Sequence, residues 1–178
     1  MSTLRQGHWS RHRPRHRPAV MDVICTSDLD DFTAGVADLA AGYALLDAYY
    51  AAINALDADA VASVFTEDGE YLDRALDRRV RGHQELRAFV AEIATASPDF
   101  HVQPHRVQIT LHGAAVELTM SGTHRASMAG IPATGRAYSV VFASFFTFRE
   151  GLVARKVDYF NLAAVLIQLG VMPDLATS

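Results

Sequence analysis

Residues 100–160 decide the fold: FHVQPHRVQITLHG (100–113), AAVELTMSGTHRA (114–126), RAYSVVFASFFTF (136–148) and LVARKVDYF (152–160). In each stretch apolar side chains recur at every second position, the repeat of a strand with one buried face. The spacing predicts four consecutive long strands. HisGly at 112–113 and GluGly at 150–151 predict tight hairpin turns, and SMAGIPATG (127–135) predicts a longer, looser connection.

Upstream the period is helical. DLAAGYALLDAYYAAINAL (38–56) carries Leu39, Tyr43, Leu46, Tyr50 and Ile53 at three- and four-residue steps, which predicts a long helix with that apolar stripe. DADAVASVF (57–65) predicts a shorter helix ending in the acidic turn TEDGE (66–70). A brief strand follows at Glu70–Asp73, then LDRRVRGHQ (76–84) as a polar loop. Leu86, Phe89, Val90, Ile93 and Ser97 mark a third helix, stopped by Pro98. Downstream, LAAVLIQLG (162–170) predicts a short closing helix with Gly170 as its stop. Helices first and a meander of strands afterwards argue for an α+β fold with helices on one face of the sheet.

The strand YSVVFASFF (138–146) is apolar on both faces. Helices can cover one face, but no element remains for Val141 and Phe145. Such a surface usually meets another subunit, so a homodimer through the sheet is expected.

Composition narrows the function. Of 178 residues half are apolar and one fifth charged, as in ordinary globular chains, and no apolar run is long enough for a membrane span. One cysteine, Cys25, excludes a disulfide framework and a cysteine-based structural zinc site. Residues 1–20 hold five arginines and no carboxylate, leaving 11 basic against 20 acidic residues in the rest. A body that acidic does not track a phosphate backbone, so no nucleic-acid partner is expected. Only one of the 16 basic residues is a lysine, a bias typical of GC-rich coding.

Residues 1–30 are expected to be a disordered basic tail, broken by Pro14 and Pro18, and residues 31–178 a single domain. His8, His12 and His16 have the spacing of helical metal ligands, but those prolines favour a floppy tail. No apolar segment of a secretory signal follows the basic stretch, so a cytoplasmic location is expected.

No glycine-rich phosphate loop, HExxH or serine elbow is present, so no cofactor and no metal are expected. His101 and His105, four apart on a strand, lie too far apart to share a metal. What remains is acid–base chemistry by isolated polar groups on apolar strand faces. Asp158, late in a buried strand, is foremost: in an apolar cavity desolvation would raise its pKa toward the range of a general base or acid. The competing reading is a strand-end carboxylate, solvated or paired with Arg155. Asp73 shares a strand face with Tyr71, though a loop carboxylate beside Arg74 is the plainer reading. His124 has inward parity with Val116, Leu118 and Met120, and Ser144 interrupts an apolar series. One of Tyr49 and Tyr50 must face the sheet. Asn161 is expected as a helix N-cap.

The order of elements, and GTHRASMAGIPATGRAYSVVFASFFTFREGLVARKVDYFNLAAVLIQLG (122–170) in particular, is familiar. Residues 38–172 resemble the nuclear transport factor 2-like superfamily, and within it the SnoaL-like polyketide cyclases. The hairpin around PATGR, the long apolar strand, then DYF and QLG carry the resemblance. The same segment is similar to the limonene epoxide hydrolases. The resemblance implies a cone-shaped, curved mixed sheet wrapped round three or four helices, with a deep apolar pocket. It assigns the catalytic aspartate of the cyclases, and the water-activating aspartate of the hydrolases, to Asp158. The hydrolases' tyrosine and asparagine fall on Tyr71 and Asp73, their bridging arginine on His124 or Arg125, and their acid on Ala126 or Ser127. The base and oxyanion tyrosine of the related ketosteroid isomerases fall on Asp73 and Tyr49, and their oxyanion aspartate on Ser144, where the cyclases carry a histidine.

The expected function is therefore a cofactor-free cyclase acting on a small apolar, oxygenated, polyketide-type molecule in secondary metabolism. Asp158 removes a proton, Tyr49 and His124 (with Asp73 as the other candidate base) serve the enolate, and Tyr71, Phe142, Ser144, Phe146 and Phe160 hold the substrate. An epoxide-opening enzyme and a non-catalytic dimeric binding module are the alternatives.

Overall fold

The computed structural model describes residues 35–173. The basic tail and its histidines lie outside the described residues. Four helices and six strands follow one another as α1 (Leu39–Asn54), α2 (Ala58–Ser63), β1 (Phe65–Asp73), β2 (Arg78–Arg81), α3 (Gly82–Ala96), β3 (His101–Thr110), β4 (Gly113–Thr123), β5 (Ala137–Arg149), β6 (Leu152–Phe160) and α4 (Leu162–Gln168). The strands form one sheet in the order β2-β1-β6-β5-β4-β3, antiparallel except for the parallel pair β1–β6. This is an α+β fold with a mixed sheet.

Local chemistry sets the boundaries. Asp38 and Asp57 cap α1 and α2, accepting from Ala41 N at 2.8 Å and from Ala60 N at 3.0 Å. Asn161 caps α4 through Ala164 N at 3.1 Å, as expected. Gly170, at φ +72°, closes α4 by letting Val171 N reach back to Leu166 O at 2.9 Å. Glu150 and Gly151 both have positive φ, the backbone that a two-residue hairpin with native twist requires.

Three expectations need correction. The strand expected at Glu70–Asp73 begins at Phe65, so the acidic TEDGE lies within β1, across a register shift between Phe65 and Glu70. The expected polar loop 76–84 contains β2 and the start of α3. Three arginines mask β2, an edge strand that buries Val80 alone. On α1 the buried face is Leu45, Leu46, Tyr49, Tyr50 and Ile53, whereas Leu39 and Tyr43 are 48 % and 46 % exposed. The stripe therefore starts one turn later than the spacing implied.

The register places side chains in rows across the inner face. Asp73, Asp158, Ser144 and Val116 are successive cross-strand partners on β1, β6, β5 and β4. One step along the strands lies the row Tyr71, Lys156, Phe146 and Ala114. The helices close over these rows. On the other face Val141, Phe145 and Tyr159 are exposed. No described helix is long and apolar enough to cross a membrane.

Candidate active site

A cavity of about 140 Å³ opens between the inner sheet face, α1, α3, α4 and the 124–136 connection. Leu118, Phe142 and Phe160 line its sheet side; Met128 and Ile131 come from the connection, and Leu166 and Leu169 from α4 and its end. A cavity of that order holds a single-ring molecule. Its polar lining residues are Tyr49, Tyr50, Tyr71, His124, the hydrogen-bonded pair Ser97 and Tyr138, and the charged trio Asp73, Lys156 and Asp158.

Asp158 is buried, and two donors hold its carboxylate. Ser144 Oγ donates to Oδ1 at 2.5 Å, and the Lys156 ammonium spans both carboxylate oxygens. Lys156, only 3 % exposed, sits in a box of aromatic faces: Tyr71 at 4.9 Å, Tyr49 at 5.5 Å, Phe146 at 5.7 Å and Phe142 at 5.9 Å from its nitrogen to the ring centres. Burial pushes the Lys156 ammonium below its ordinary pKa, and the Asp158 carboxylate opposes that shift.

The aspartate's partner is thus Lys156 and not Arg155. Strand alternation demands it, since residues 156 and 158 share a face and residue 155 points the other way. Nothing in the composition or motifs singles out Lys156; its shared parity with Asp158 is the signal the sequence carries.

Asp73 is not a loop carboxylate beside Arg74. It is buried at the end of β1, where Oδ1 accepts from Ala75 N at 2.9 Å and Leu76 N at 3.0 Å. Burial pushes its pKa up and the Asp158 charge adds to the rise, against the two N–H groups and Lys156. Its folded pKa therefore exceeds its unfolded one. The stability it contributes is complete below the unfolded pKa and is lost as pH rises through the folded one. Asp73→Asn keeps the acceptor and removes the charge. It should unfold at higher urea concentration than wild type at pH 7, and the gain should vanish as pH falls toward about 4. A less stable Asn variant at pH 7 would mean that Lys156 uses this charge.

His124 points inward as expected, with Nδ1 3.3 Å from Thr134 Oγ1. Tyr49 and Tyr50 both face the cavity. Burial, followed by the Asp158 charge, raises the Tyr49 pKa; burial does the same for Tyr71. Both phenols therefore remain protonated donors. The Tyr50 hydroxyl is buried without a hydrogen-bond partner. Ser144 and Phe146 stand behind the lining, Ser144 under Asp158 and Phe146 against Tyr49 at 5.5 Å. Among the described residues no cluster of three His, Cys, Asp or Glu is placed to hold a metal ion.

The SnoaL-like domain model matches residues 46–156, most of the folded body. The chain belongs to the SnoaL-like family. A candidate polyketide cyclase from Pseudomonas putida KT2440 is 28% identical to it, with TM-score 0.60 over 70% of this chain and 94% of that one. TsrD from Streptomyces laurentii is 26% identical, with TM-score 0.67 over 76% and 98%. A candidate SnoaL-like polyketide cyclase from Jannaschia sp. CCS1, 18% identical with TM-score 0.67 over 75% and 94%, shares the fold. No curated protein matches the chain in sequence. The fold is the ketosteroid isomerase-like one, as the resemblance implied.

Proposed function

We propose that this SnoaL-like protein enolises a small apolar carbonyl compound and commits the enolate to ring closure or isomerisation, a cyclase-type reaction run by its own side chains. The observation that carries this reading is one buried carboxylate–ammonium pair, Asp158 and Lys156, in the wall of a cavity lined mostly by apolar and aromatic side chains. The candidate cyclases among its relatives support the same reaction class.

Asp158 takes the proton α to the carbonyl. Its oxygens are held by Ser144 and Lys156 at rest, so a bound substrate must displace one of these donors. Tyr49 and His124 donate to the enolate oxygen, Lys156 supplies positive charge beside it, and Phe142 and Phe160 exclude water. Asp73 is the second carboxylate within reach of the cavity. The second part of the proposal is a homodimer through the outer sheet face.

Proton abstraction can be read without the natural substrate. The protein should accelerate α-hydrogen exchange of cyclohexanone in D2O, followed by NMR. Asp158→Asn should lower that acceleration by about 10²-fold, as for loss of a positioned base, and Asp73→Asn by much less. The reverse ranking makes Asp73 the base, and a wild-type protein that exchanges nothing overturns the reading.

A further inference from the structure

Lys156 is the chain's one lysine; the other 15 cationic side chains are arginines. That single amine is buried at the wall of the cavity, held by a carboxylate and enclosed by four aromatic rings. An arginine cannot release its proton in a protein, whereas a lysine can. An ammonium kept merely as a counter-ion for Asp158 needs no route to a ligand, yet Lys156 lines the ligand space.

We propose that Lys156 is a covalent site: its amine condenses with the carbonyl carbon of a small ketone or aldehyde in the cavity, forming an imine with Asp158 as proton carrier and counter-ion. The inference rests on the carbonyl reading above and specifies how the carbonyl is activated. The direction in which burial moves the Lys156 proton favours the free amine.

The steps balance within the pair. Lys156 passes a proton to Asp158, and the neutral amine adds to the carbonyl carbon, forming the C–N bond and breaking the C–O π bond. The nitrogen's extra proton moves to the oxygen, giving a carbinolamine. Asp158 returns its proton to that hydroxyl, which leaves as water. The product is an iminium paired with the Asp158 carboxylate, so the buried charges are the same before and after. Asp158 then removes the α-proton, leaving a neutral enamine where the simple route leaves a buried enolate.

The test uses the full chain and cyclohexanone. Sodium cyanoborohydride should trap a secondary amine at Lys156, located by peptide mapping, at least about tenfold faster than at the N-terminal amine. Independently, the protein should speed 18O loss from labelled cyclohexanone to water, because carbinolamine dehydration expels that oxygen whereas enolisation keeps it; the exchange that hydration alone gives is read with Lys156→Arg protein and subtracted. Lys156→Arg should abolish both signals; the wild-type trapping stands even if that variant fails to fold. Accelerated α-exchange with no adduct and no 18O loss overturns the imine and leaves the enolate reading intact. An adduct with no α-exchange keeps the imine site and overturns the acid–base reading. Absence of all three overturns both.

Discussion

Lys156→Met and Asp158→Asn should each destabilise the protein by about 3–5 kcal/mol, and the double variant should recover most of that loss. Each single change leaves one group of a buried pair without its partner. In Lys156→Met the carboxylate keeps Ser144 but loses the ammonium that spans both of its oxygens. In Asp158→Asn the ammonium keeps ring faces and the more distant Asp73 charge, which compensate a fraction of its desolvation. Methionine opposite asparagine restores neutrality at nearly the same volume. Urea unfolding of the four proteins closes a double-mutant cycle, and additive losses would mean that the two side chains are not coupled.

The pH dependence of Asp158→Asn gives the sign independently. The folded-state pKa of Lys156 is already below its ordinary value, and removing Asp158 takes away the charge that opposes that shift. The unfolded chain then holds more protons than the folded one between the two pKa values. Stability should accordingly rise with pH through that window, by up to about 1.4 kcal/mol per pH unit, and flatten once the unfolded lysine also loses its proton. The raised phenol pKa values of Tyr49 and Tyr71 act oppositely, their contribution being lost above about pH 10, so the rise is sought below that.

The strands were legible because β4 and β5 bury alternate residues, and period two is the strongest signal a sequence carries. The same periodicity points His124 inward and allows Asp158 an inner face, whereas at Asp73, in a short strand, the loop reading is the plainer one. It failed at β2, where Val80 is the single apolar residue of four and pairing with β1 decides the conformation. It was under-used at Lys156. Parity alone puts residues 156 and 158 on one face, but a lysine on a buried face contradicts ordinary burial preference, and only the carboxylate two residues away makes it tolerable. Ser144 lies opposite Asp158 through the 150–151 hairpin and a register shift between Thr147 and Phe148, and that shift has no local signal. That Asp73 lies beside Asp158 on a parallel neighbour depends on β1 joining β6, a pairing that no local pattern encodes.

Phe145→Glu should convert a homodimer to monomer or aggregate. β5 buries Val140, Phe142, Phe146 and Phe148 inward, yet Val141 and Phe145 on its other face are 58 % and 48 % exposed. Tyr159 of β6 joins them, 51 % exposed, its ring edge-on to Phe145 at 5.8 Å. Among the described residues helices cover only the inner face, and in the proposed dimer a second copy applied by a two-fold axis offers the matching apolar surface. Residue 145 then lies close to its own counterpart, and two glutamates there bring like charges together in a desolvated contact. Such a pairing costs several kcal/mol, enough to weaken association by about 10²-fold or more. Phe145→Leu, which keeps the surface apolar, should remain dimeric. Sedimentation velocity at micromolar protein separates the cases: a wild-type monomer, or a Phe145→Glu protein that sediments as the wild-type dimer does, removes the sheet-face interface.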